Sequence, residues 1–203
     1  TQRKRLEADS ELRLGGVGAP DNGSRAQSWR ERLERSQGPF LAASDLYAGD
    51  SWSVVRELVE VGCARGLDPS VWVCSAGYGL VALDAPLAGY AATFSPGHDD
   101  SVSSESATLA RVKRCQEWWG EIARWRGPKP GDPRSLHELA VAQPDAPMLF
   151  AGSEAYLGAL RADLGDAASI LGERLVVISA GASSVGAMAR HQVSCDARFQ
   201  GLL

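Results

Sequence analysis

Three stretches of this 203-residue sequence end an apolar run in Ala-Gly followed by small polar residues. They are Val71-Trp72-Val73-Cys74-Ser75-Ala76-Gly77-Tyr78-Gly79, Met148-Leu149-Phe150-Ala151-Gly152-Ser153-Glu154 and Val176-Val177-Ile178-Ser179-Ala180-Gly181-Ala182-Ser183-Ser184. The apolar halves are rich in β-branched and aromatic residues, the pattern of buried strands. The glycines let the backbone turn sharply or approach another group closely. If the strands lie parallel in one open sheet, their carboxyl ends line a common crevice. Ser75, Gly77, Tyr78, Gly79, Gly152, Ser153, Gly181, Ser183 and Ser184 are then the expected ligand-binding residues, with Tyr78 stacking on a base. Backbone N–H groups at such corners suit phosphate or carboxylate. The sequence has no Gly-Lys-Ser/Thr P-loop and no G-x-G-x-x-G, so no cofactor is expected. The competing reading is that Ala-Gly merely allows close strand-to-helix packing.

Asp45 and Glu154 are the carboxylates expected to face such a crevice, where an acid at a strand end can serve as general base or glycosidic nucleophile. Glu154 also falls in the first turn of an expected helix, where an acid is stabilised without any chemistry. His98, His137 and His191 are too dispersed for a zinc site, and no metal is expected. A serine hydrolase is disfavoured by the absence of a Gly-x-Ser-x-Gly elbow.

Charge is distributed unevenly around the net −4. Residues 106–134 hold seven basic and three acidic groups, whereas residues 37–105 hold two and nine. Arg111, Lys113, Arg114 and Trp118 are the expected nucleic-acid contacts, because cations can track phosphates while a ring stacks on bases. The alternative is an amphipathic helix with core tryptophans and a solvated basic face. Trp118 and Trp119 are adjacent and cannot share one helical face, so at least one ring is expected to be partly exposed or covered by a loop.

These groups need elements to hold them. The pattern predicts a strand at 39–44, a helix from Asp50 or Ser51 to about Ala64, a strand at 71–76 and an irregular loop over 81–94. A long helix over about 104–125 and a short one over 135–142 follow. Strands at 147–151 and 174–179 then alternate with helices at 154–164 and 183–190. Alternation of this kind implies an α/β, Rossmann-like, mostly parallel sheet with flanking helices. In the second helix Val54, Val55, Leu58, Val59 and Cys63 are expected to face the core. Residues 1–24 are polar and glycine-rich, and residues 26–35 read as a short charged helix. Residues 1–36 are therefore expected to form a flexible arm, available to an assembly partner, ahead of a single domain over 37–203. No apolar run approaches the roughly 20 residues of a membrane helix, so no membrane partner is expected. Cys63, Cys74, Cys115 and Cys195 lack C-x-x-C spacing and read as reduced core residues in a cytoplasmic protein.

Cys74-Ser-Ala-Gly-Tyr-Gly-Leu-Val81, with Asp84 and Gly89-Tyr-Ala-Ala-Thr-Phe94 after it, resembles a bacterial pattern, Ser-Ala-x-Tyr-Gly-Leu followed by Pro-Tyr-x-x-Thr-Phe. Proteins with this pattern lie near the peroxide-stress protein family and the side domains of archaeosine synthase and deazaguanine transglycosylase-like proteins. Asp45-Leu46-Tyr47 is similar to a Leu-Tyr segment of the same group. The resemblance spans residues 39–94, and Gly89 stands where the pattern prefers proline. It implies an α/β domain associated with nucleic acids or modified bases, in defence or modification contexts. The expected function is handling of a nucleotide, nucleobase or nucleic-acid strand, with action at an N-glycosidic bond as the first reaction to test. The alternative is a non-catalytic interaction module of a larger bacterial assembly.

Overall fold

The computed structural model describes residues 3–19, 21–179 and 189–194. Strand β1 (Arg3–Lys4) is followed by two single 3-10 turns and then helix α1 (Asn22–Arg35). Asp21 caps α1 by accepting the Ser24 N–H at 2.9 Å, so the helix starts four residues before its first apolar repeat. Strand β2 (Phe40–Ala42), helix α2 (Ala43–Leu46) and strand β3 (Tyr47–Ala48) lead into helix α3 (Asp50–Ala64). Strands β4 (Trp72–Ser75), β5 (Gly79–Ala82) and β6 (Pro86–Ala88) come next, then helices α4 (Thr108–Ala123) and α5 (Leu136–Ala142). Strand β7 (Met148–Ala151), helices α6 (Glu154–Ala159) and α7 (Arg161–Leu171), and strands β8 (Leu175–Ser179) and β9 (Gln192–Ser194) complete the order.

Helices and strands mix as expected, but the strands divide among small sheets. Only β7, β8 and β9 are parallel, in that order; β1–β3, β2–β6 and β4–β5 are antiparallel pairs. The mostly parallel Rossmann-like sheet is therefore not present among the described residues. The decisive departure is at Ser75, where the chain does not enter a helix. Gly79 takes φ +74, and Ser75 pairs with Gly79 across a three-residue turn, so the chain folds back as a hairpin. Val81 to Phe94, expected as a loop, contains β6 and the second half of β5, and its residues are largely buried.

That hairpin turn is buried, so its backbone groups need partners inside the protein. The Ser75 hydroxyl accepts the N–H groups of Gly77 (3.1 Å) and Tyr78 (2.9 Å). The Ala76 carbonyl accepts the Trp118 indole N–H, and the Gly77 carbonyl that of Trp29, both at 2.7 Å. The Tyr78 and Leu80 carbonyls accept the Arg134 guanidinium, which also donates to the Trp125 carbonyl at 2.9 Å. Helix α4 lies between α1 and α6, which is how adjacent Trp118 and Trp119 are both buried, on opposite flanks. Trp119 donates to Asp163 at 2.9 Å on the α6–α7 side.

Two further expectations are corrected. Residues 3–19 and 21–36 are not a free arm: Leu12, Leu14 and Val17 are buried, and β1 pairs with β3. Their apolar side chains, spaced two or three apart among polar residues, anchor the segment to the core. Helix α3 buries only Trp52, leaving Val54, Leu58 and Val61 at 54%, 56% and 44% exposure, and Cys63 exposed as well.

Candidate functional site

Strands β4 and β7 both line a cleft of about 690 Å³. Residues 70–75 and 146–153 line it along the length of both strands, α3 contributes Trp52, Val55 and Leu58, and α5 contributes Leu136 and Leu139. Among the described residues, six aromatic side chains lie in its wall: Tyr47, Trp52, Trp72, Tyr90, Phe150 and Tyr156. Apolar walls with a few convergent polar groups are the usual make-up of a small-molecule site.

The polar end is a chain of three buried hydroxyls. Tyr90 Oη lies 2.7 Å from Ser75 Oγ and 2.8 Å from Tyr47 Oη. Ser75 Oγ already accepts two amide N–H groups, so its own proton is directed to Tyr90, and the Tyr90 proton to Tyr47. The Tyr47 O–H is left as the terminal donor. Burial pushes the Tyr47 phenol up to about 12 and holds Tyr90 well above its usual value, so both are protonated at neutral pH.

Two glycines make this arrangement possible. A Cβ at Gly77 would stand 2.6 Å from the Tyr90 ring, so the missing side chain is what lets that ring lie against the turn. The Tyr78 ring then meets Tyr90 edge-on at 5.0 Å. A Cβ at Gly89 would stand 2.3 Å from the Glu7 carbonyl oxygen. Gly89 thus lets the N-terminal segment cross directly over it, and β1 places Lys4 opposite Tyr47. Lys4 Nζ lies 4.1 Å from the centre of the Tyr90 ring. Burial lowers the Lys4 ammonium pKa to about 8, against an opposing pull from Asp100. Trp72, on β4, has its indole N–H buried without a partner among the described residues.

The expected site residues fall into distinct places. Ser75, Gly152 and Ser153 line this one cleft. Gly77, Tyr78 and Gly79 are buried beside it in the turn. Tyr78 is 2% exposed with its hydroxyl accepting the Ala88 N–H at 3.1 Å, so it is not available to stack on a base. The turn amides, being bonded to Ser75, do not form an open anion cradle. Gly181, Ser183 and Ser184 lie outside the described residues. Asp45 and Glu154 are exposed and neither lines the cleft, which corrects their expected role as base or nucleophile there. In α2 it is Ala43 and Leu46 that point inward, turning Asp45 out, and Glu154 occupies the first turn of α6.

The basic helix is corrected in part. Trp118 is fully buried and hydrogen-bonded, so it offers no ring to a nucleic acid. Lys113 is exposed, and Arg111 and Arg114 are half-buried. Among the described residues, no group of three His, Cys, Asp or Glu side chains is placed to hold a metal ion, and no helix is long and apolar enough to cross a membrane. Lys4, Tyr47, Trp72 and Tyr90 are the site residues that local sequence did not single out. The signal for two of them lay in Leu46-Tyr47 and Gly89-Tyr90. Lys4 had none, because its place depends on a pairing 43 residues away.

No family model, no curated protein and no solved structure matches this chain.

Proposed function

We propose that this chain is a ligand-binding α/β domain that takes a flat ring, of nucleobase or nucleotide class, in the cleft between β4 and β7. The observation that carries the reading is the convergence of six aromatic side chains and a polarised hydroxyl chain on one cavity. Flat rings recover stacking energy on aromatic walls, and the donors and acceptors of a base edge match a hydroxyl and an indole N–H. The cavity is within the range of small-ligand pockets. No acid in the cleft is assigned a catalytic role. Isothermal titration with adenine, adenosine and an aliphatic polyol of similar size tests the reading. Binding of the ring compounds and not the polyol is expected; equal or absent binding of all three would refute it.

A second reading rests on Val54, Leu58 and Val61, which lie on one face of α3 at i, i+4 and i+7 and are all exposed. An interaction module would use that face rather than residues 1–36. Sedimentation velocity of the wild type against Val61→Glu, which lies on that face outside the cleft wall, tests it, with a change in assembly expected if the face is an interface.

A further inference from the structure

We propose that Lys4 and the Tyr47 hydroxyl form an anion-binding end of the cleft, so that its ligand carries a phosphate or carboxylate beside its flat ring. This deepens the ring-binding reading above and rests on it.

Three observations converge. Among the described residues lining the cleft Lys4 is the only charged one, so no carboxylate among them competes for it. No acid lies within ion-pair distance of Lys4 among the described residues. Asp100 acts on it from further away, and its carboxylate already takes Gly15 N–H at 3.1 Å and Arg13 at 3.3 Å. The second observation is the direction of the hydroxyl chain. Two amides fix Ser75 as a double acceptor, which sends each proton outward and leaves Tyr47 offering O–H. The third is the register of β1 on β3, which sets Lys4 directly opposite Tyr47. An ammonium and a hydroxyl donor on the wall of one cleft, with no carboxylate among its described lining residues, are complementary to an oxyanion. The lowered pKa of Lys4 fits the same picture, because an anion bound beside it would restore the charge that burial disfavours.

The groups facing Lys4 are the phenols of Tyr47 on β3 and Tyr90 after β6, with Asp100 more distant. Both phenols stay protonated well above neutral pH, so Lys4 is the group that titrates between pH 7 and 9.

The test is titration calorimetry at pH 7.5 with adenosine, adenosine 5′-monophosphate and orotate, on wild type, Lys4→Met, Lys4→Arg and Tyr47→Phe. Adenosine 5′-monophosphate is expected to bind at least tenfold more tightly than adenosine. Lys4→Met should remove that preference, Lys4→Arg should keep most of it, and Tyr47→Phe should lose part. Orotate binding that is equally sensitive to Lys4→Met identifies a carboxylate as the anion; phosphate selectivity leaves orotate weak. Equal binding of adenosine and its monophosphate overturns the anion site and leaves the ring reading standing. Absence of binding by all three overturns both. A monophosphate affinity unchanged in Lys4→Met refutes the role of Lys4, and unchanged melting temperatures show that the variants are folded.

Discussion

Replacing Arg134 by methionine should cost the fold about 3 kcal/mol. The side chain is 6% exposed and its guanidinium serves the carbonyls of Tyr78, Leu80 and Trp125. Hydrogen bonds from a charged donor contribute about 1.5–3 kcal/mol each, so three amount to roughly 4–9 kcal/mol. Against this stands the cost of burying the charge. Burial lowers the Arg134 pKa to about 10 from 12.5, which corresponds to about 3 kcal/mol given back. Methionine refills part of the volume beside Gly79 and Gly127 but leaves the carbonyls without donors. At this chain length about 1 kcal/mol moves the melting temperature by roughly 2–4 °C, so a fall of about 6–12 °C is expected. Arg124→Met is the control, since that side chain is 70% exposed and paired only with Glu121, and it should shift the midpoint by no more than about 2 °C. Thermal unfolding followed by circular dichroism reads both. Equal small shifts would refute the claim that Arg134 holds the 75–79 turn, and would return it to the solvated basic segment.

Gly89→Ala should lower stability by about 1–3 kcal/mol, because its Cβ would meet the Glu7 carbonyl and push the N-terminal segment away. The same variant should release Lys4 from Tyr90, seen as a Lys4 pKa returning toward 10.5 by NMR. Trp72→Phe removes a buried donor that has no partner, so the melting temperature should stay level or rise; a fall of more than about 5 °C would mean the N–H is bonded after all. Lys4 also sets a pH dependence. Below pH 8 it is charged in both states, and between pH 8 and 10.5 the folded protein releases the proton that the unfolded chain keeps. Stability should therefore rise with pH across that window, by about 1 kcal/mol at pH 9.5 for a half-buried group, and the rise should vanish in Lys4→Met urea titrations.

Where local signals decide structure, the sequence was readable. Helix α3 begins at Asp50 and runs to Ala64 as its spacing and Gly66 imply, and β7, α6–α7 and β8 follow the expected alternation with parallel pairing. The failures are non-local. Ser75-Ala-Gly-Tyr-Gly suits either a strand-to-helix corner or a hairpin, and the choice falls to the pairing of 79–82 with 72–75. Tryptophans in a basic helix read equally as stacking rings or as core. They are core because α1 and α6 close on both flanks of α4. Leu12, Leu14 and Val17 sit among glycines and charges and read as linker, yet they bury their side chains and so deliver Lys4 to the site. The steric roles of Gly77 and Gly89 belong to residues distant in sequence, Tyr90 and Glu7, and leave no local trace.

The most direct test of the cleft as the ligand site is NMR titration of isotopically labelled protein with adenosine 5′-monophosphate. Shifts are expected to concentrate at the Trp72 indole N–H, along residues 70–75 and 147–153, and at Tyr47 and Tyr90. Shifts confined to Arg111, Lys113 and Arg114 on α4, or no shifts at millimolar ligand, would contradict it.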